Sequence, residues 1–486
     1  TYSDKGFNAM SRNMHDFVRK HIVRGQWQYK ERPVLLNSWE AAYFDISERK
    51  LYELAKAGHD VGIELFVMDD GWFGNRDDDS SSLGDGYVNK KKLPNGLKGI
   101  CDKINALGMS FGIWVEPEML NVNSDLYRLH PDWAMDIPGC AHSEGRNQRI
   151  LDLCNPEVSE YIIDSMTKVF SSANIAYVKW DMNRIFSDYY SKYLKAQGRP
   201  QGETAHRYVM ALGRIMRTLT ERFPHILFEG CAAGGNRFDL GILCYFPQIW
   251  ASDNTDAVSR AYIQEGLSYG YPMSTVSAHV SACPNHQTLR VTPLSTRFNV
   301  AAFGICGYEC NLVDMSKAER SEIKTQIDIY KKWRHAMQFG SFYRQRTGNI
   351  HQWTVVDEEA GRAVGLIMQE LVRANTQNEE YYAVGLDPEA VYSFYNRPLK
   401  HNVKEFGDLI NTVAPIHIRQ GSLLHGMVAK FVTMPGETEK YELSGSMLMN
   451  CGVRLKQAFA ATGFSEEVRH FPDFASRLYF MEKISD

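Results

Sequence analysis

Short apolar runs alternate with helical patterns from about residue 30 to about residue 310. Several runs are continuously apolar over most of their length rather than alternating, which is typical of parallel strands buried on both faces. The runs predicted as strands are 34–39, 63–68, 110–115, 175–180, 226–229, 247–250, 272–276 and 300–304. This alternation predicts repeated strand–helix units that share one parallel sheet.

The segments between the runs carry helix signals. Apolar residues recur at helical spacing from Leu97 to Leu107 and again from Tyr208 to Leu219. Asn155 offers an N-cap that is followed by a proline at the first helical position. Eight strands with helical crossovers predict an α/β fold, the (β/α)8 TIM barrel. A doubly wound open sheet is the alternative, but it would carry a glycine-rich loop after its first strand, where 37–39 reads Asn-Ser-Trp.

The pattern changes after about residue 340. Residues 351–356, 363–368, 381–384 and 478–480 form short runs separated by turn residues, which predicts an antiparallel β-sandwich domain at the C-terminal end. The N-terminal segment contains a possible helix from His15 to Val23. We therefore expect a helical lead-in over residues 1–30, a catalytic barrel over 31–340 and a C-terminal β domain over 345–486.

Composition narrows the classes of function. The net charge of −4 argues against a nucleic-acid partner. The sequence contains no run of about 18 apolar residues, so a membrane partner is not expected. Nine cysteines without a CxxC pair favour a reducing compartment over a disulfide framework, so a cytoplasmic location is expected. The aromatic fraction of 12% suits either a large core or a sugar site, and composition does not choose between them.

Acidic and tryptophan side chains are concentrated where the predicted strands end. The C-terminal strand ends of a barrel form one rim, and active sites lie there. A rim that carries acids on so many strands is poorly explained by solvation alone. The strand-end residues are Trp39, Glu40, Asp69, Asp70, Trp72, Trp114, Glu116, Glu118, Lys179, Asp181, Asn183, Glu229, Trp250, Asp253 and Asp256.

Acids and tryptophans without a histidine cluster indicate glycoside hydrolysis, which needs two carboxyl groups beside the scissile bond. Lys179 and Asp181 should face the same side of their strand, and a neighbouring cation would keep Asp181 ionised as a nucleophile. A structural salt bridge explains this pair equally well. For the proton donor, the residues alone leave both Asp253 and Asp256 open.

Four motifs resemble glycoside hydrolase family 36, the microbial α-galactosidases, and the resemblance spans roughly residues 10 to 480. They are 69–74 (Asp-Asp-Gly-Trp-Phe-Gly), 114–119 (Trp-Val-Glu-Pro-Glu-Met), 179–183 (Lys-Trp-Asp-Met-Asn) and 252–256 (Ser-Asp-Asn-Thr-Asp). The resemblance implies that Asp181 is the nucleophile and Asp253 the general acid/base. It places galactose-binding roles on Trp39, Asp69, Asp70, Trp114, Arg146, Lys179, Cys231 and Gly234, the last two facing the 2-hydroxyl of the sugar.

The implied activity is retaining hydrolysis, by double displacement, of terminal non-reducing α-D-galactosyl residues from galacto-oligosaccharides such as melibiose and raffinose. Full-length family members carry a β-sandwich domain ahead of the barrel that helps to build oligomers, so a homo-oligomer is expected of the full-length protein. A galactosyl transferase, an α-N-acetylgalactosaminidase, a sugar-binding barrel without catalysis and a metal-dependent lyase or isomerase remain alternatives.

No cofactor and no metal ion are expected. The histidines show no HExxH pattern or tight His/Cys spacing, and we interpret His15, His21, His142, His279 and His286 as polar residues rather than metal ligands. The acidic run 77–79 lacks the spacing of an EF-hand and is predicted to be a solvated loop. The glycines between 230 and 235 lack a following Lys-Ser/Thr, and close approach of the backbone to a sugar explains them better than a phosphate does.

Overall fold

A computed structural model describes residues 2–374, 379–460 and 467–485 of the chain. It contains two compact units. The first comprises Thr1–Val291 and Ala301–Arg334, and the second comprises Thr292–Val300 and His335–Asp486. The three-part division at residues 30, 340 and 345 stays a prediction.

Eight parallel strands of the first unit close into a barrel in which each strand pairs with its neighbours in chain order. The first and last strands close the barrel, with Leu35 opposite Gly307. The predicted (β/α)8 barrel is therefore confirmed. The strands are β1 Leu35–Asn37, β2 Leu65–Met68, β3 Ser110–Val115, β4 Ile175–Trp180, β5 Leu227–Gly230, β6 Gln248–Trp250, β7 Val276–Ser281 and β8 Ile305–Glu309.

Two of the predicted strand positions are wrong. Residues 272–276 were expected to form the seventh strand, but Met273–Thr275 is a 3-10 turn and β7 begins only at Val276. Residues 300–304 were expected to form the eighth, but they overlap the end of the helix Leu294–Ala301, and β8 begins at Ile305. A short apolar run at a buried helix end gives the same pattern as a buried strand, so periodicity alone does not separate them.

Helices connect the barrel strands. The predicted N-cap is confirmed, because the Asn155 side chain accepts a hydrogen bond of 3.0 Å from the amide of Glu157. The predicted helix from His15 to Val23 is observed as Gly6–Phe17, which continues as a π-helix over Val18–Ile22. Within the described residues, no helix combines the length and the apolar character needed to cross a membrane. The other α-helices of this unit are Trp39–Ala42, Glu48–Val61, Gly96–Ala106, Asp125–Leu129, Pro156–Ser171, Lys192–Ala196, Thr204–Arg222, Leu240–Leu243 and Ala257–Leu267; Lys317–Phe339 runs from the first unit into the second.

The inside of the barrel changes from apolar to polar along its axis. A cluster of Leu35, Leu65, Val67, Tyr177 and Leu227, with Trp27 packed against it, fills the end where the strands begin. Because side chains alternate along a strand, the residues two and four positions after Tyr177 point the same way and lie nearer the C-terminal rim. The fold therefore places the side chains of Lys179 and Asp181 near the C-terminal rim, above the packed apolar cluster.

The second unit is built on a six-stranded antiparallel sheet, which confirms the predicted C-terminal antiparallel sheet. In order across the sheet, the strands are Ser341–Thr347, Ile350–Asp357, Arg362–Gln369, Ser476–Ser485, Val391–Asn396 and Lys440–Ser444. The predicted strand 381–384 is only Glu380–Tyr381, paired with Val453–Arg454. A second short ladder pairs Lys400–Asn402 with Thr433–Pro435. The remaining elements are β9 Ser341–Thr347, β10 Ile350–Asp357, β11 Arg362–Gln369, β12 Val391–Asn396, β13 Lys440–Ser444, β14 Ser476–Ser485, the 3-10 helix Val403–Thr412 and the α-helices Leu294–Ala301, Leu423–Phe431 and Gly445–Asn450.

Candidate active site

A pocket of about 140 Å³ lies at the C-terminal ends of the barrel strands. It brings together both predicted catalytic aspartates and six of the eight predicted sugar-binding residues; Cys231 and Gly234 are not in its wall. The lining residues are Trp39, Glu40, Asp69, Asp70, Trp114, Arg146, Lys179, Asp181, Asn183, Trp250, Asp253, Thr255, Gln287 and Glu309.

Lys179 and Asp69 form a buried ion pair in the pocket. The Lys179 Nζ lies 3.1 Å from Asp69 Oδ2, which also accepts a hydrogen bond of 2.7 Å from the side chain of Asn37. Burial alone would lower the pKa of Lys179, but the carboxylate of Asp69 raises it well above its usual value. The sequence had suggested Asp181 as the partner of this lysine, whereas the direct contact is with Asp69. Lys179 therefore brings a permanent positive charge to the rim.

Asp70 is held by an arginine that the sequence did not single out. Nε and Nη2 of Arg76 donate to the two carboxylate oxygens of Asp70 at 2.6 and 2.7 Å, a bidentate geometry. Burial raises the pKa of Asp70 in spite of this partner. Because Arg76 occupies one lone pair on each oxygen, Asp70 is fixed in one orientation with acceptor capacity left on the pocket side.

Asp181 is the most heavily hydrogen-bonded carboxylate of the pocket. Its Oδ2 accepts from Nε1 of Trp114 at 3.1 Å and from the side-chain amide of Asn183 at 2.7 Å. Its Oδ1 accepts from the backbone amides of Met182 at 2.8 Å and Ala233 at 3.4 Å. Four donors hold the charged form of this group in a fixed position at the end of β4.

The electrostatics of Asp181 favour ionisation. Burial would raise the pKa of this carboxyl, but the nearby ammonium of Lys179 and hydrogen bonds from Cys231, Asn183 and Trp114 outweigh burial and lower the pKa below its usual value. A buried carboxylate that accepts several N–H bonds is expected to behave in this way. At neutral pH, Asp181 is therefore an anion.

Asp253 has the opposite setting. Burial and the negative charge of Asp181 raise the pKa of Asp253, and these two effects exceed the opposing influence of Lys179 and of a 3.0 Å hydrogen bond from Nε1 of Trp250. Two carboxyl groups whose surroundings push their pKa values apart are the arrangement that nucleophile and proton donor require.

The structure also separates Asp253 from Asp256, which the residues alone left open. Asp256 is the N-cap of the helix Ala257–Leu267, where its Oδ2 accepts from the amide of Ser259 at 3.1 Å and from its hydroxyl at 2.9 Å. Arg290 also donates to the same oxygen. Asp256 thus caps the helix and is not among the residues that line the pocket, whereas Asp253 lines it.

Cys231 and Gly234 lie behind the two aspartates. The thiol of Cys231 hydrogen-bonds to Asp181. Gly234 has a φ of +83°, and a Cβ at this position would lie 2.8 Å from the amide nitrogen of Asp253 and 2.9 Å from Cα of Ser252. Only glycine fits this conformation and this close contact. The role of both residues toward a sugar 2-hydroxyl stays a prediction.

Six pocket residues were not predicted as site residues. Glu40, Asn183 and Trp250 had been named only as strand-end residues, and Thr255, Gln287 and Glu309 had not been named there. Glu309 ends β8, so placing that strand correctly would have brought it into the strand-end comparison. Burial raises the pKa of Glu309 to about 8 and that of Glu40 to about 7. His279 contacts Glu309 with Nδ1 at 2.9 Å, and burial lowers the pKa of His279 to about 3, so this histidine is neutral. Gln287 lies in a loop without a local sequence signal.

Arg146 reaches the pocket from a strained turn. Arg146 and Asn147 have consecutive φ values of 50° and 56°, which is the left-handed region that non-glycine residues seldom adopt. Nε of Arg146 lies 3.7 Å from Oδ2 of Asp79. Such strain persists where the surroundings impose it, often at functional sites, at a cost of about 1–3 kcal/mol per residue.

Family comparisons agree along most of the chain. The family described as Melibiase matches residues 1–340, and the glycosyl hydrolase family 36 C-terminal domain matches residues 350–481. The α-galactosidase AgaA of Geobacillus stearothermophilus is 48% identical over 394 residues, which are 80% of this chain and 54% of that protein. Mel36A of Lactobacillus acidophilus is 45% identical over 80% of this chain and 53% of its own length. The chain therefore spans about half the length of the curated relatives it matches.

Solved structures are similar over the whole chain. The crystal structure of AgaA matches with a TM-score of 0.85 and 41% identity, covering 100% of this chain and 60% of that one. Variants of AgaA have been solved in complex with raffinose and with stachyose. The galactosidase domain of the α-galactosidase–sucrose kinase AgaSK matches with a TM-score of 0.83 and 37% identity, covering 100% of this chain and 59% of that one.

Proposed function

The chain belongs to the melibiases of glycosyl hydrolase family 36, and on that premise we propose that it removes terminal non-reducing α-D-galactosyl residues from galacto-oligosaccharides such as melibiose and raffinose. The observation that carries the proposal is the pair Asp181 and Asp253, which line one pocket with their pKa values displaced in opposite directions. The relatives are named α-galactosidases, and AgaA binds raffinose and stachyose in its variants' structures.

The proposed reaction is a double displacement that retains the α configuration. A carboxylate oxygen of Asp181 attacks the anomeric carbon while the bond to the leaving oxygen breaks, and the proton of Asp253 moves to that oxygen. Water then attacks the covalent galactosyl-enzyme, Asp253 takes a proton from it, and Asp181 leaves as a carboxylate. The lowered pKa of Asp181 and the raised pKa of Asp253 support these starting protonation states.

The sugar ring is held in this proposal by acceptors remote from the anomeric carbon. Asp69 and Asp70 lie on one wall, and we propose that their carboxylate oxygens accept hydrogen bonds from the 4- and 6-hydroxyls of galactose. Trp39 and Trp114 lie in the same wall and offer apolar faces to the ring. Asp69 is held by Lys179 and Asp70 by Arg76. Little side-chain freedom is therefore lost when the sugar binds.

Asp69→Asn is expected to lower kcat/KM on p-nitrophenyl α-galactoside by about 100-fold or more, or about 3 kcal/mol of transition-state binding. Oδ2 of Asp69 accepts from Lys179 and Asn37, and Oδ1 accepts from the backbone amide of Asp70. An asparagine therefore turns its NH2 group toward a donor in either orientation. The measurement is steady-state kinetics, with circular dichroism to verify folding.

The matched control is Asp78→Asn, which removes the same charge from an exposed position of the following loop. This variant should keep wild-type kcat/KM. Near-wild-type values for both Asp69→Asn and Asp70→Asn would show that these residues are not sugar ligands and that the sugar binds elsewhere.

One assay tests the proposed function as a whole. Raffinose, melibiose and p-nitrophenyl α-galactoside should be hydrolysed, and proton NMR should detect α-galactose before mutarotation. The matching N-acetylgalactosaminide should be a much poorer substrate, because the proposed 2-hydroxyl contacts leave no partner for an acetamido group. First-formed β-galactose would contradict the retaining mechanism, and preference for the N-acetylgalactosaminide would contradict the substrate.

Cytoplasmic location and homo-oligomer formation are proposed as well. All nine cysteines are free thiols in the described residues, which suits a reducing compartment. Measurement of the mass in solution tests the oligomer.

A further inference from the structure

Three potential metal ligands meet in the second unit, on elements that contribute no residue to the lining of the barrel pocket. His401 lies in the short strand Lys400–Asn402, Glu405 in the first turn of the 3-10 helix Val403–Thr412, and His470 in the segment that leads to β14. Their ligand atoms all lie within 4.8 Å of one another. In the described part of the chain, no other group of three or more His, Cys, Asp or Glu residues meets this condition.

The distances within this cluster are informative. Oε2 of Glu405 lies 3.3 Å from Nδ1 of His401 and 3.5 Å from Nε2 of His470. Charge-assisted N–H···O bonds are usually about 2.7–2.9 Å long, so both contacts are long for hydrogen bonds. In a tetrahedral zinc site with bonds of about 2.0–2.1 Å, neighbouring ligand atoms are separated by about 3.3–3.4 Å. An octahedral site with the same bond length would need about 2.9 Å.

We propose that His401, Glu405 and His470 bind a divalent cation of the zinc class in tetrahedral geometry, with water at the fourth position. Two imidazoles and one carboxylate are the donors that such a cation accepts, whereas calcium and magnesium prefer oxygen ligands throughout. The site departs from the sequence-based expectation of no metal ligand. A histidine four positions before a glutamate is common in sequences and does not by itself indicate a metal site. His470 lies far away in sequence, and only the fold places it beside the other two residues.

The surroundings of Glu405 prepare it for this role. Its other oxygen, Oε1, accepts a hydrogen bond of 2.9 Å from the backbone amide of Asn402, which turns Oε2 toward the two imidazoles. Orientation of a ligand by a second hydrogen bond is typical of metal sites.

Access and rigidity also fit a bound ion. The side chains of His401 and His470 are 9% and 11% exposed, while that of Glu405 is 44% exposed, so an ion can enter from solvent on the carboxylate side. The ring of Phe406 packs against His470 with centroids 4.6 Å apart and restricts that ring. The ion would join two segments distant in sequence, and binding to the folded state alone would stabilise it.

The experiment uses the untagged full chain after treatment with a chelator and dialysis. Titration with Co²⁺ should give one equivalent bound, with the intense visible absorption of a tetrahedral site, and Zn²⁺ should displace it. Zn²⁺ should raise the Tm by several degrees. His401→Ala and His470→Ala should weaken Co²⁺ binding by tenfold or more. The control is His417→Ala, which replaces an exposed histidine after the 3-10 helix Val403–Thr412 and should bind Co²⁺ like wild type.

Glu405→Gln guards against a folding defect in the histidine variants. Its side-chain oxygen can still accept the hydrogen bond from the backbone amide of Asn402. The reciprocal capping of the 3-10 helix by Asn402 and residue 405 is therefore kept, while the anionic ligand is lost. This variant should fold, as judged by circular dichroism, and bind Co²⁺ at least tenfold more weakly. Absence of saturable binding to the wild type, or unchanged binding in folded Glu405→Gln, would overturn the proposal and leave an ordinary hydrogen-bonded cluster. Because no readout is enzymatic, neither result bears on the proposed hydrolysis.

Discussion

Asp181→Ala is expected to lower kcat on p-nitrophenyl α-galactoside and on raffinose by about 10⁵-fold, which corresponds to about 7 kcal/mol of barrier. The loss should be the same for good and poor leaving groups, because the group that forms the covalent bond is removed. The four donors that hold Asp181 remain in place and would lose their acceptor. No neighbouring carboxylate is expected to take over, since Asp253 is the proposed proton donor and Asp69 is bound to Lys179.

Azide identifies the missing function. With the side chain at 181 shortened, azide should attack the anomeric carbon of the activated substrate directly, restore turnover and yield β-galactosyl azide by a single inversion. The control is Asp164→Ala, an exposed aspartate of the helix Pro156–Ser171, which should keep wild-type kinetics. If Asp181→Ala retained more than about one hundredth of wild-type kcat, or gave α-galactosyl azide, the nucleophile would lie elsewhere.

The sequence predicted the barrel and the rim on which its acids lie, because the runs that contain β1 to β6 are mainly apolar and have clear boundaries. It misplaced β7 and β8, because apolar residues around 272 and 300 belong to a turn and to a helix end. The misplacement of β8 concealed Glu309, whose position on the rim depends on where that strand stops.

The individual side-chain contacts between residues distant in sequence could not be predicted, although their meeting on one rim could. The pairing of Lys179 with Asp69 rather than with its strand neighbour Asp181 depends on the packing of β2 against β3 and of β3 against β4. The choice between Asp253 and Asp256 likewise depends on where the next helix begins, since the helix uses Asp256 as its cap. The sequence of one strand shows which of its side chains share a face. It does not show which side chains of different strands contact each other.

Asp253→Ala is expected to act selectively, and this selectivity identifies the acid/base. Hydrolysis of raffinose, whose leaving sugar needs a proton, should fall by about 10³-fold, within the range that general acid catalysis supplies. The galactosylation step with p-nitrophenyl α-galactoside should fall far less, because p-nitrophenolate leaves without protonation. Azide should then accelerate turnover by attacking the galactosyl-enzyme, and the product should be α-galactosyl azide, since the intact Asp181 still imposes two inversions.

The pH dependence and one neighbouring residue provide the decisive controls for Asp253. The proposed mechanism needs Asp181 ionised and Asp253 protonated, so we expect the raised pKa of Asp253 to set the alkaline limb of kcat/KM and the lowered pKa of Asp181 to set the acid limb. Asp253→Ala should lose the alkaline limb and keep the acid one. Asp256→Ala removes a helix N-cap, so it should lower stability by about 1 kcal/mol or more without any dependence on the leaving group. If the leaving-group dependence and the azide product appeared in Asp256→Ala instead, Asp256 and not Asp253 would be the proton donor.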